Sequence, residues 1–168
     1  MLLWLIFLTP IMLLALIFYF TSVGGFGEMP DLDVLENPKT NLASEIFSAD
    51  GKTLGKYYFN DNRTPVTFEE MPKHLIDALI ATEDIRFYSH SGIDFKRTLS
   101  ATLKFGKDGG GSTITQQLAK LLFTGEGSRD FTERITQKFK EYVIAIRLER
   151  HYTKNEIITQ YLNLYDFG

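Results

Sequence analysis

Residues His74 to Asp94 read "HLIDALIATEDIRFYSHSGID", and one acid in that run is the first candidate for chemistry. Leu75, Ile76, Leu79 and Ile80 recur at helical spacing and form an apolar stripe. Glu83 falls on the continuation of that stripe, where the period asks for another apolar side chain. A carboxylate against an apolar wall is partly desolvated, the setting in which carboxyl groups become useful proton acceptors and donors. Asp84 points about a quarter-turn away. The plain alternative is that the helix ends near Thr82 and Glu83 turns to water.

A second candidate is "GKDGGGSTITQQLAK", residues 106–120. It is not a Walker loop, because no Gly-Lys-Ser/Thr follows the glycines. Gly109, Gly110 and Gly111 allow close backbone approach, and Ser112 and Thr113 open a helix whose free N–H groups attract anions. Thr113, Gln117 and Lys120 share one face, with Gln116 beside them, while Ile114, Leu118, Leu121 and Leu122 occupy another. A row of donors ending in an ammonium suits a phosphate or a sugar. The alternative is a solvated helix face behind a flexible loop.

The third candidate is "ERITQKFKEYVIAIRLER", residues 133–150. Ile135, Phe139, Tyr142, Val143 and Ile146 form the expected core stripe, and Arg134, Lys138, Glu141 and Ala145 line an adjacent face. Intrahelical ion pairing accounts for this segment equally well on its own. Together the three segments supply two carboxylates and a cationic, donor-rich groove. Paired carboxylates serve chemistry at a sugar's anomeric carbon. Lysines and helix-terminal N–H groups serve a pyrophosphate leaving group.

Positioning these groups falls to a mainly helical domain. "SEIFSADGKTLGKYYF" alternates apolar residues around Asp50-Gly51, a hairpin signal. Five helices are expected after it: His74–Glu83, residues 94–105, one capped by Ser112 or Thr113 that stops at Gly125, one capped by Asp130 running to about Tyr152, and one opened by the Thr153-x-x-Glu156 capping box. The domain spans 42–168 and follows a Gly-, Pro- and acid-rich linker at 22–41. The chain stops at "YLNLYDFG" without a finishing element, so a C-terminally incomplete domain is expected.

Residues 1–21 read as a transmembrane anchor. Leu2 to Phe20 carries no charge and approaches the roughly 20 residues a bilayer requires. Trp4 and Tyr19 sit near its ends, and Pro10 is tolerable in such a helix. A cleaved signal peptide fits less well, since no Lys or Arg precedes Lys39. The acidic residues Glu28, Asp31, Asp33 and Glu36 that follow fit an exported domain. A net charge of -3, from 18 Lys+Arg against 21 Asp+Glu, argues against a general nucleic-acid binder. No cysteine is present, which excludes disulfides and thiolate metal sites.

"ATEDIRFYSHSGIDFKRTLSA", "GGGSTITQQLAKLLF", "QKFKEYVIAIRLER" and "YTKNEIITQYLN" resemble, in order and spacing, the first four motifs of family 51 peptidoglycan glycosyltransferases. These occur as monofunctional enzymes and as the N-terminal domain of class A penicillin-binding proteins. The resemblance covers about Leu42 to Gly168. It implies a lysozyme-like helical fold on one transmembrane helix, on the extracytoplasmic side of the bacterial inner membrane. The implied reaction polymerises lipid II: an acceptor sugar hydroxyl attacks the anomeric carbon of a lipid-linked glycan chain. Undecaprenyl pyrophosphate departs and configuration inverts.

The resemblance places the general base at Glu83. It places at Glu141 a second carboxylate that assists the pyrophosphate, with a divalent metal, Mg²⁺ or Mn²⁺. Ser112, Thr113, Gln117, Lys120 and Lys138 are implied substrate contacts, with Asp84, Phe87 and His90 in support. Implied partners are lipid II, the growing chain, the membrane and other cell-wall synthesis proteins. Two positions depart from the usual pattern: Gln137 stands where Arg is common, and Leu121 where Asn is often found. Arg134, one turn from Gln137, is placed to compensate. No S-x-x-K acylation motif occurs in this sequence. Two other functions stay open: a lysozyme-like hydrolase or lytic enzyme acting on the same glycan, and a non-catalytic membrane scaffold that binds cell-wall precursors.

Overall fold

The computed structural model describes residues 2–30, 44–57, 64–103, 110–125 and 127–165. Most of the expected linker and the glycine loop up to Gly109 lie outside the described residues. The chain is mainly helical, with one two-stranded antiparallel sheet. Helix α1 spans Leu2–Ser22. Strands β1 (Ser44–Phe47) and β2 (Thr53–Tyr57) form the expected hairpin, with Gly51 at φ 79° in its turn and a register shift between Ile46 and Phe47.

Helix α2 runs Lys73–Glu83, one residue longer at its start than the sequence suggests. A short 3-10 turn at Phe87–Ser89 leads to α3, Phe95–Leu103. Helix α4, Ile114–Ala119, starts at an N-cap made by Thr113 and widens into a π turn over Lys120–Thr124. Asp130 caps α5, Phe131–His151, by accepting from the N–H groups of Thr132 and Glu133. The Thr153/Glu156 capping box opens α6, Lys154–Leu164.

The core lies where α2, α4, α5 and α6 meet. Ile76, Leu79, Phe87, Ile114, Leu118, Ile144, Leu148, Ile157, Ile158 and Tyr161 bury together there. Only part of the α2 stripe enters it: Ile76 and Leu79 are buried, Ile80 is half-buried and Leu75 is 42% exposed. On α5 the expected stripe needs correction. The buried apolar residues are Val143, Ile144, Ala145 and Leu148, while Ile135 is exposed. The reason is that α5 serves two neighbours. Its Phe139 and Tyr142 face receives Phe18 of α1, with ring centroids 5.5 and 6.2 Å away, and Arg147 donates to the Ser22 carbonyl at 2.9 Å.

Among its described side chains, helix α1 leaves Ile11, Met12, Leu13, Leu14 and Leu16 exposed. Counted over the described residues, no helix is long and apolar enough to cross a membrane. The side chains of residues 2–5 and 7, within α1, lie outside that description.

Candidate active site

Glu83 is the last residue of α2, so its side chain projects from the open end of the helix. It is half-buried, and Gln117 Nε2 donates to its Oε2 at 2.8 Å. The Gln117 Oε1 in turn accepts from the Tyr161 hydroxyl at 2.9 Å. Burial, followed by the Glu83 charge, pushes the Tyr161 phenol above its ordinary value, so the hydroxyl keeps its proton. Arg97 of α3 donates to the Glu83 main-chain carbonyl and, at 3.1 Å, to the Gly110 carbonyl. That guanidinium ties the end of α2 to the segment entering α4.

Asp84 turns the other way. Its carboxylate is buried, accepts from the Ile114 N–H at 3.1 Å and meets His90 Nε2 at 3.0 Å. The Thr113 hydroxyl accepts from the Gln116 N–H and donates to the Gly92 carbonyl at 2.7 Å. So two of the opening N–H groups of α4, expected to be free for an anion, are taken: Ile114 by Asp84 and Gln116 by Thr113. Gly92 makes this possible: at φ 87°, an added Cβ would lie 2.8 Å from the Ala145 carbonyl oxygen. The Gly92 backbone therefore packs directly against the α5 backbone at Ala145. Behind them Lys154 donates to the His90 carbonyl and Glu149 and lies 4.2 Å from the Phe87 ring centroid.

The second acid, Glu141 of α5, is 5% exposed and accepts from Lys138 Nζ at 2.7 Å. The same ammonium donates to Ser112 Oγ at 2.7 Å, linking α5 to the start of α4. Burial, then the Glu141 charge, pushes the adjacent Tyr142 phenol upward.

Glu83 and Glu141 line one cavity of about 1080 Å³, together with Ser112, Gln117, Lys120 and Lys138. A cavity of that size suits an extended ligand. Six of the ten residues expected at the site are thus brought together. Asp84, Phe87, His90 and Thr113 are not on the cavity wall; they stand behind it and fix the elements that form it. Sequence reasoning missed Arg97 and Tyr161. Arg97 carried no recognisable signal; Tyr161 reads as one more core position on α6, although a buried tyrosine hydroxyl needs a partner.

The two departures also find places. Gln137 donates to the Thr124 carbonyl at 3.1 Å and accepts from the Ser128 N–H at 3.4 Å, so its amide spans the turn between α4 and α5. Leu121, expected in the core, instead lines the cavity, because the π turn rotates it outward. Arg134 lines the same wall. Among the described residues, no group of three or more His, Cys, Asp or Glu side chains could hold a metal ion. Glu141, the acid expected beside a metal, is buried and paired with the Lys138 ammonium at 2.7 Å.

A helical domain with two acids and several cations around one cleft is the frame of a glycosyl-transferring enzyme, and the chain belongs to the transglycosylase family, whose profile matches residues 50–168. Penicillin-binding protein 1A of Vibrio cholerae is 38% identical over 160 residues, covering 90% of this chain and 19% of that protein. Penicillin-binding protein 1A of Escherichia coli is 37% identical over 140 residues, covering 81% of this chain and 16% of that protein. Penicillin-binding protein 1F of Bacillus subtilis is 44% identical over 132 residues, covering 76% and 18%. The chain therefore spans less than a fifth of the length of these relatives.

Proposed function

We propose that this chain is a peptidoglycan glycosyltransferase domain of lysozyme-like fold that polymerises lipid II. The observation that carries the reading is the shared cavity, with Glu83 and Glu141 on its walls and Arg97, Lys120, Arg134 and Lys138 around them. Glu83, half-buried and held by a neutral amide, takes the proton of the acceptor's sugar hydroxyl. The freed oxygen attacks the anomeric carbon of the lipid-linked chain from the face opposite the diphosphate. The carbon–oxygen bond to the pyrophosphate breaks, its electron pair leaves with undecaprenyl pyrophosphate, and configuration inverts.

The leaving group departs toward Lys120, Arg134 and Lys138, whose charges and N–H donors stabilise the developing anion. Ser112 and Gln117 supply further polar contacts. Glu141 would hold a divalent metal together with the substrate phosphates; such an ion, when bound, neutralises charge on the leaving group. Asp84, Phe87, His90 and Thr113 act as positioning residues. Helix α1 is the proposed single membrane anchor, placing the domain at the extracytoplasmic face of the inner membrane, where it can meet other cell-wall synthesis proteins. Its 21 residues carry no charge, and at 1.5 Å each they reach about the thickness of a bilayer's hydrocarbon core.

The test is an assay with lipid II on the full chain in detergent. Polymer formation with release of undecaprenyl pyrophosphate is the expected result. Cleavage of preformed glycan instead would identify a hydrolase. Precursor binding without turnover would identify a scaffold.

A further inference from the structure

Tyr161 has no part in the proposed chemistry, yet two hydrogen bonds connect it to the proposed base. Its side chain is fully buried, its hydroxyl meets Gln117 Oε1 at 2.9 Å, and Gln117 Nε2 meets Glu83 Oε2 at 2.8 Å. A primary amide has one accepting end and one donating end. Whichever end faces Tyr161, the other faces Glu83. With the hydroxyl donating, the NH₂ group is directed at Glu83, as an ionised carboxylate requires. A hydroxyl can also accept. Once Glu83 holds a proton, the amide turned by half a rotation accepts from it and donates to the Tyr161 oxygen. That turned state takes from the buried Tyr161 O–H the acceptor it now has in Gln117 Oε1, so the pair favours the arrangement that donates to Glu83.

We infer that Tyr161 is a positioning residue that acts through Gln117: by donating to the amide oxygen it keeps the NH₂ end on Glu83 and so favours the ionised carboxylate. The inference rests on reading Glu83 as the base. Other charged or titratable groups face Glu83 from each neighbouring element: Arg97 of α3, Lys120 of the π turn, Lys138 and Glu141 of α5 across the cavity, and Tyr165 of α6. Tyr161→Phe leaves these groups in place and keeps the ring that stacks on Tyr165 at 5.0 Å. It removes one hydroxyl.

The experiment is a ¹³C NMR titration of the full chain in detergent with carboxyl-labelled glutamate, the Glu83 signal being assigned with Glu83→Gln. In Tyr161→Phe the Glu83 midpoint should rise by about 0.5–1 pH unit, the effect of losing the fixed donor to the ionised form. Gln117→Leu should raise it by at least as much, and Tyr161→Phe should add nothing to Gln117→Leu in the double variant. Unshifted midpoints in the single variants, or full additivity in the double, overturn the relay. Should Tyr161→Phe not fold, an unshifted midpoint in Gln117→Leu overturns it alone. The acidic limb of the pH–rate profile for polymerisation should move with the NMR midpoint. A midpoint that moves while the limb stays keeps the relay and removes Glu83 as the base.

Discussion

The two walls of the cavity are built on different principles. On the α2–α4–α6 side, Glu83 meets a neutral amide, its carbonyl is held by Arg97, and its neighbour Asp84 is buried on a backbone N–H and His90. On the α5 side and the π turn, Lys120 and Arg134 line the cavity without an ion pair among the described residues, and only Lys138 is committed, to Glu141 and Ser112. The difference accords with the part proposed for each wall. A base needs a fixed direction yet must keep its affinity for a proton, and neutral hydrogen bonds orient it without the strong pull of a bound cation. Lys120 and Arg134 can meet an anion without breaking a pair within the protein, whereas Lys138 would have to share its charge with Glu141.

This contrast can be broken by substitution. The largest effect belongs to Glu83→Gln, which keeps the shape and removes the base: polymer formation from lipid II should fall by about 10²–10⁴-fold, with precursor binding intact by equilibrium titration. An unchanged rate removes the base assignment. Next is Lys138→Ala, which should weaken donor binding by about 1.5–3 kcal/mol and leave buried Glu141 without its partner. Lys120→Ala, at an exposed cation, should sit at the low end of that range and fade as salt is raised. Donor affinities measured at two ionic strengths separate the two lysines, and equal salt dependence would blur the proposed distinction.

A smaller effect concerns the frame of the base wall. Burial opposes ionisation of Asp94, but the Arg97 N–H and the Arg86 guanidinium hold its carboxyl below the usual aspartate range. The folded pKa is depressed, so this stabilisation is present above the unfolded value near 3.9 and is lost as pH falls through the folded value. Asp94→Asn should therefore cost about 2 kcal/mol at pH 7 and progressively less in strong acid, by chemical denaturation across that range. The smallest effect is Thr153→Ala, which removes one side of the α6 capping box and should cost about 1 kcal/mol, with donor affinity untouched. A loss of affinity there would show that the start of α6 is coupled to the cavity.

Legibility followed the same division. The hairpin at Asp50-Gly51 and the caps at Thr113, Asp130 and Thr153 are local patterns and appear where the sequence puts them. The position of Glu83 on the α2 stripe was readable too, because Ile76 and Leu79 fix its direction by period alone. The stripe on α5 was misread because that helix carries apolar residues on more than one face, and period cannot say which face meets α1 and which meets the core. Leu121 was misplaced because a π turn changes the angular step per residue, and nothing in "KLLFT" announces it. Thr113 was read as a substrate contact and Asp84 as a support, and what neither pattern could show is that both bond the opening of α4.

The amino-acid order by itself determined which side chains share a helix face, where helices begin, and which acid stands in an apolar row. Those are properties of one element, governed by a fixed rotation per residue and by hydrogen bonds that span a single turn. Tertiary packing alone decided that Glu83 and Glu141 face one cavity, that Asp84 points inward while its neighbour points out, and that a tyrosine on the final described helix reaches Glu83 through Gln117. Such relations join residues far apart along the chain, and their distances depend on how buried faces fit together.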